Sequence, residues 1–195
     1  MYEVELKFHV ADAAALERQL ADLGGRFASP IEQIDRYFAH PARDFAVTDE
    51  ALRLRRVGDD VAITWKGPRL GVGAKTREEL ELGVAAVTSP AGTASGSDTI
   101  DRWTALLEAL GFRQVREVAK RRRPVRVAWN GVEIEAAVDH VAGIGDFVEL
   151  ELLAEADGIS QATEQLESLA AALGCTHPER RSYLELMLED GRRFP

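Results

Sequence analysis

Apolar and polar side chains alternate with a period of two along much of this chain, beginning with Tyr2-Glu3-Val4-Glu5-Leu6-Lys7-Phe8. Successive side chains of a strand point to opposite faces, so Val4, Leu6 and Phe8 share one face and Glu3, Glu5 and Lys7 the other. The same alternation predicts strands at 2–9, 33–39, 51–57, 60–66, 75–84, 113–128, 131–138, 147–153 and 182–188. Gly58-Asp59-Asp60, the stretch from Gly67 to Gly73, and Asn130-Gly131 read as hairpin connections.

Three segments carry apolar residues at helical spacing instead. Asp12 caps the first, Leu16, Leu20 and Leu23 make its stripe, and Gly24-Gly25 ends it. Ser97 or Asp98 opens the second, which turns Ile100, Trp103, Leu106, Leu107 and Leu110 to one side and stops at Gly111. Ser160 caps the third, with Leu166, Leu169 and Leu173 buried and Gly174 closing it. Residues from Thr88 to Asp98, rich in Ser, Gly, Thr and Pro, form a loop. Strands interrupted by helices in this order predict one α+β domain, residues 1–195, with mainly antiparallel pairing.

The polar faces carry ordered sets of charge. Arg53 and Arg55 share a face, as do Lys75, Arg77, Glu79 and Glu81, then Lys120 and Arg122, then Glu149 and Glu151. Lys66 lies two residues past Thr64 on another such strand, and Arg121 and Arg123 have the opposite parity. Either these faces are the solvated outside of a sheet, or the sheet closes with the charges inside and the apolar faces covered by helices. Three amphipathic helices need an apolar surface, which favours closure. An inward charged lining is costly by itself. It becomes stable around an anion with several phosphates and a divalent cation, Mg²⁺ or Mn²⁺, held by the carboxylates. Tyr37, Phe38, Trp65, Trp103 and Trp129 read as packing residues, and Gly143 and Gly145 as turn residues that aim Glu149 and Glu151.

Composition narrows the class. Net charge is −9, which disfavours nucleic acid and anionic membrane as partners. Cations are concentrated at Arg53-Leu54-Arg55-Arg56 and Lys120-Arg121-Arg122-Arg123, which suits a compact polyanion. The single Cys175 excludes an internal disulfide and a cysteine metal cluster, and the four histidines show no ligand spacing. Charges at positions 3, 5 and 7 interrupt any leader-like run, and no window holds the ~20 apolar residues of a membrane helix. A soluble, cytoplasmic protein is expected.

Glu3-x-Glu5-x-Lys7 resembles the signature of the CYTH superfamily, the triphosphate tunnel metalloenzymes. Further matches follow in family order: Asp35-x-Tyr37-Phe38, Leu52-Arg53-Leu54-Arg55, Thr64-x-Lys66-Gly67-Pro68 and Lys75-Thr76-Arg77-Glu78-Glu79-x-Glu81. Then come Val118-x-Lys120-x-Arg122, the run from Val138-Asp139 to Phe147-x-Glu149-x-Glu151, and Ser182-Tyr183-x-Glu185-Leu186. The resemblance implies a closed antiparallel eight-stranded barrel with a charged lumen and helices packed outside. It implies that Lys7, Arg53, Arg55, Lys66, Lys75, Arg77, Lys120 and Arg122 bind a triphosphate. By the same resemblance Glu3, Glu5, Glu149 and Glu151 hold Mg²⁺ or Mn²⁺, with Asp139, Glu79 and Glu81 as auxiliaries. Glu3, Glu5, Lys7, Glu149 and Glu151 would carry the catalysis.

The matched blocks look like class IV adenylate cyclases, which convert ATP to cyclic AMP and pyrophosphate and tend to be dimers. The same tunnel serves inorganic or thiamine triphosphatases, and a non-catalytic triphosphate- or polyphosphate-binding module is the alternative of another class. Fold alone does not decide among them.

Overall fold

The structure is a computed structural model that describes residues 2–69, 75–86 and 95–193. In chain order its elements are β1 (Tyr2–Val10), α1 (Ala13–Asp22), β2 (Arg26–Phe27), β3 (Ile31–Ala39), α2 (Phe45–Thr48), β4 (Ala51–Val57) and β5 (Asp60–Lys66). There follow β6 (Lys75–Arg77), β7 (Glu79–Val84), α3 (Gly96–Ala109), β8 (Arg113–Trp129), β9 (Val132–Val141) and β10 (Gly145–Ala154). A 3-10 turn (Ala156–Gly158), α4 (Ile159–Ala172) and α5 (Tyr183–Arg193) complete the chain. The fold is α+β with antiparallel pairing, as the alternation predicts. Eight of the nine predicted strands are present, the one at 75–84 interrupted at Glu78.

The ninth predicted strand is a helix. Residues 183–188 alternate like a strand, but they open α5. Glu185 N donates to Ser182 Oγ at 3.2 Å, and Ser182 N donates to Glu185 Oε2 at 2.6 Å. That reciprocal pair is a capping box, which fixes the first turn of a helix.

Two compact units divide the chain. The first comprises Met1–Pro30, Arg69–Arg77 and Lys120–Pro195; the second comprises Ile31–Pro68 and Glu78–Ala119. β8 contributes residues 120–129 to the first and 113–119 to the second.

In the first unit β1 lies between β6 and β10, β10 pairs with β9, and β9 with β8. One face of this sheet presents Val4, Leu6, Phe8, Val127, Ile134, Val148 and Leu150 to Leu16 and Leu20 of α1 and Leu166 and Leu169 of α4. Each fully buried leucine removes enough apolar surface to stabilise the fold by roughly 1.5–3 kcal/mol. Asp12 caps α1, its carboxylate accepting from Ala15 N at 2.8 Å. α4 starts at Gly158 after the 3-10 turn with no side-chain cap, so Ser160 lies inside its first turn rather than at its edge. Asn130 and Gly131 both have positive φ (45° and 86°), as the two-residue turn joining β8 to β9 requires. Gly143 and Gly145 take φ of 87° and 98° between β9 and β10, confirming them as turn residues.

In the second unit β3, β4, β5 and β7 pair in that order, with β8 beside β3. Ile100 and Leu107 of α3 bury against Phe38, Leu52, Leu54 and Val61, with Trp65 and Trp103 packed around them. Ser95 caps this helix, two residues before the predicted opening. Leu106 and Leu110, predicted to lie on the same stripe, are 46% and 63% exposed because the helix turns its other side to the sheet. Arg36 ties β3 to this helix through Asp101 at 2.6 Å and Thr104 at 3.2 Å. The predicted loops at 67–73 and 88–98 fall largely outside the described residues.

Candidate functional site

The polar faces of the two units each hold a cluster of charge. In the first, β1 and β10 set Glu5 opposite Glu151 and Lys7 opposite Glu149. β8 and β9 set Arg122 opposite Asp139. Strand parity therefore places Glu3, Glu5, Lys7, Glu149, Glu151, Asp139, Lys120 and Arg122 on one face, opposite the helices. Lys7, Lys120, Asp139 and Glu149 are all buried.

Arg122 is the hub of this cluster. Its Nε and Nη2 donate to Asp139 Oδ1 and Oδ2 at 2.8 and 2.6 Å, a bidentate pair. Nη2 also meets Glu149, and Nη1 lies 3.9 Å from Glu151. Burial works against its charge, but Glu149 and Asp139 outweigh burial and hold it firmly protonated. Lys120 Nζ donates to the same Asp139 at 3.2 Å.

Glu3, Glu5 and Glu151 gather at the other side of the face. One carboxylate oxygen from each lies within 4.8 Å of the others. Burial, then the neighbouring Glu149, Glu3 and Glu5, push the Glu151 carboxyl up to about 8 against the opposing pull of Arg122. Close carboxylates that resist ionising together form a donor set of hard oxygens, the type that Mg²⁺ and Mn²⁺ take. Glu149, predicted with this group, is instead held by Arg122.

Tyr183, the first residue of α5, closes in on the same face. Its hydroxyl donates to Asp139 Oδ2 at 2.9 Å, and its ring centroid lies 4.1 Å from Lys7 Nζ and 5.0 Å from Lys120 Nζ. Phe147 packs edge-on against it at 5.0 Å. Burial, with Glu149 and Asp139, raises the phenol's pKa well above the usual range. Tyr183 lies in one of the matched sequence blocks but in a segment expected to be a strand, and the sequence reading gives it no role; the Ser182-x-x-Glu185 capping signal was the clue to a helix.

The second unit carries a separate cluster on β3, β4, β5 and β7. Arg55 grips Asp35 with Nε and Nη2 on the two carboxylate oxygens, each at 2.7 Å. Arg53 Nη1 lies 3.7 Å from Asp35, and Nη2 lies 4.0 Å from Glu81. Burial disfavours the Arg53 charge, while Asp35, Tyr37 and Glu79 raise its pKa. Its Nε is buried and has no acceptor. Thr64 Oγ1 donates to Glu81 at 2.7 Å, and Lys66 pairs with Glu79 across the strands. Tyr37, read from sequence as packing, sits opposite Arg53 on this charged face, whereas Phe38 joins the core.

The structure thus brings Arg53, Arg55, Lys66, Glu79 and Glu81 together in one cluster and Glu3, Glu5, Lys7, Lys120, Arg122, Asp139, Glu149 and Glu151 in the other. Arg77 sits opposite Glu3 on β6. Lys75 is placed opposite Glu5 by its backbone, and its side chain lies outside the described residues. Arg123 turns to the helix side, where it meets Glu17 of α1, as its parity predicts.

Antiparallel strands thus carry paired acids and bases on one face and helices on the other. Comparison with known proteins gives the family. The CYTH domain matches residues 1–183. A protein of Methanocaldococcus jannaschii, provisionally named an adenylate cyclase, is 32% identical over 189 residues, covering 95% of this chain and 98% of that one. The solved PH1819 protein of Pyrococcus horikoshii superposes with a TM-score of 0.81 at 37% identity, covering 96% and 99% of the two chains. A Hippeastrum protein described as an adenylyl cyclase candidate with a dominant triphosphatase activity shares the fold, with a TM-score of 0.61 at 15% identity and 97% and 95% coverage. This chain belongs to the CYTH family, the triphosphate tunnel enzymes. Among the described residues no helix is long and apolar enough to cross a membrane.

Proposed function

We propose that the chain is a metal-dependent adenylate cyclase of the class IV type, converting ATP to cyclic AMP and pyrophosphate. The observation that carries the metal-dependent part is the gathering of Glu3, Glu5 and Glu151 beside a buried set of cations. These three carboxylates would hold Mg²⁺ or Mn²⁺, with Glu149 steadied at their side by Arg122. The bound cation supplies Lewis-acid polarisation of phosphoryl oxygens. The choice of cyclisation over hydrolysis follows the name of the Methanocaldococcus relative and the matched sequence blocks.

Lys7, Lys120 and Arg122 in the first unit bind phosphate oxygens and neutralise their charge, and so do Arg53, Arg55 and Lys66 in the second. Arg77, and Lys75 by its register position, join the first unit's set. Asp139, Glu79 and Glu81 hold these cations in place between turnovers rather than touching the phosphate. In the reaction the ribose 3′-hydroxyl gives up its proton to solvent and its oxygen bonds to the α-phosphorus. The bond from that phosphorus to the α–β bridging oxygen breaks, and pyrophosphate leaves. Such chemistry depends on positioning and charge neutralisation, with no covalent intermediate on the protein.

Incubation with ATP, inorganic triphosphate and thiamine triphosphate, each with Mg²⁺ or Mn²⁺, followed by chromatography of the products, tests the reading. Cyclic AMP with pyrophosphate is expected. Orthophosphate with a shortened chain would make the protein a triphosphatase, and unchanged substrates that nonetheless bind would make it a non-catalytic binding module.

A further inference from the structure

We propose that Tyr183 is a positioning residue that holds Lys7 and Lys120 in place for phosphate binding, an inference that rests on the triphosphate reading above. Two like charges are buried here: Lys7 is 1% exposed and Lys120 4%. Both ammonium groups lie against one aromatic ring, at 4.1 and 5.0 Å from its centroid. An ammonium on a flexible four-carbon stem follows whichever carboxylate is near. Asp139 is within 3.2 Å of Lys120, and Glu149 is directly across the strands from Lys7. A carboxylate engages a lysine by taking an N–H donor. A ring face attracts the charge without taking one. The Tyr183 ring therefore fixes the two charges while leaving their hydrogen-bonding capacity to other acceptors.

The ring is itself held at several points. Its hydroxyl donates to Asp139 Oδ2, the oxygen that also accepts from Arg122 and Lys120. Phe147 supports its edge. The backbone that carries it is pinned by the Ser182–Glu185 capping box, and Arg69 donates to Glu185 at 3.2 Å and to the Arg180 carbonyl at 3.0 Å. A side chain that only filled space would not need to meet three charges of one cluster.

The test uses the full chain and its variants Tyr183→Phe, which keeps the ring, and Tyr183→Leu, which removes it; Tyr183→Met replaces the latter if it does not fold. Calorimetry with tripolyphosphate at fixed Mg²⁺ should show Tyr183→Phe within about threefold of wild type and Tyr183→Leu weakened about tenfold. Mn²⁺ binding without phosphate should stay within about twofold in both, a split that general loss of structure would not give. In spectra of ¹³C-lysine protein, the ε-methylene signals of two lysines should be shifted upfield by the ring in wild type and Tyr183→Phe, and return to ordinary positions in Tyr183→Leu. Unaltered tripolyphosphate affinity in Tyr183→Leu, or equal losses in both variants, would overturn the proposal. So would the lack of upfield lysine signals in wild type. Upfield signals in a wild-type protein that ignores tripolyphosphate would overturn the triphosphate reading and this role with it.

Discussion

The two charged clusters solve the same electrostatic problem in opposite ways. In the second unit three carboxylates meet three cations and a hydroxyl: Asp35 with Arg55 and Arg53, Glu79 with Lys66, Glu81 with Thr64. In the first, Glu3, Glu5 and Glu151 bring a carboxylate oxygen each within 4.8 Å of the others, although Lys7, Lys120 and Arg122, with Arg77 and Lys75 by register, stand on the same sheet. A balanced cluster needs no added charge to offset its own. Acids gathered within reach of one another favour a shared proton or an added cation. That difference supports the metal site proposed above for the first unit.

The largest effect that can break this contrast is a single amide. Glu5→Gln should lower metal-dependent turnover at least about 100-fold with an unchanged circular dichroism spectrum. Glu81→Gln in the balanced cluster should leave the metal requirement intact. A fully active Glu5→Gln protein would remove the metal from the first unit.

A smaller effect sharpens the role of the second unit. Lys66→Ala should weaken triphosphate binding about tenfold and monophosphate binding about twofold at most, measured by competition calorimetry. Equal losses for both ligands would argue against a grip on several phosphates.

The smallest effect is on stability and comes from Glu151. Its carboxyl is pushed up to about 8 by burial and by its acidic neighbours, against an unfolded value of about 4.3. Between those values the folded chain holds a proton that the unfolded chain has released. The contribution to stability is thus complete below pH ~4.3 and is lost as pH rises towards about 8. Metal-free protein should melt a few degrees lower at pH 8 than at pH 6, about what a loss of 1 kcal/mol produces. Mn²⁺ should raise the melting temperature more at pH 8, because it replaces the proton. A Glu151→Gln protein with the same pH slope would place its origin elsewhere.

Much of this arrangement was legible in the sequence because a strand's period of two is simple. Glu3, Glu5 and Lys7 could only share a face, and Val4, Leu6 and Phe8 could only cover the other. Cross-strand register was not legible. Parity treats Glu149 and Glu151 alike, and only the pairing of β8, β9 and β10 shows that Arg122 bonds the first and stands 3.9 Å from the second. Tyr183-Leu184-Glu185-Leu186 misled for a different reason: local alternation competed with a capping box, and the backbone hydrogen bonds of the box prevailed. Tyr37 is buried as its packing reading expects, and only the strand register shows that its neighbour there is Arg53.

The pairing of Glu5 with Glu151 also makes the acidic trio a product of long-range folding. The carboxylates of β1 have no β10 beside them until the segment through Glu151 has been made and has folded back. Local helices and hairpins form far sooner than a contact spanning such a length. A chain that ends before Glu151 lacks the carboxylate trio. The trio is therefore set by strand pairing across the sheet and not by any local segment.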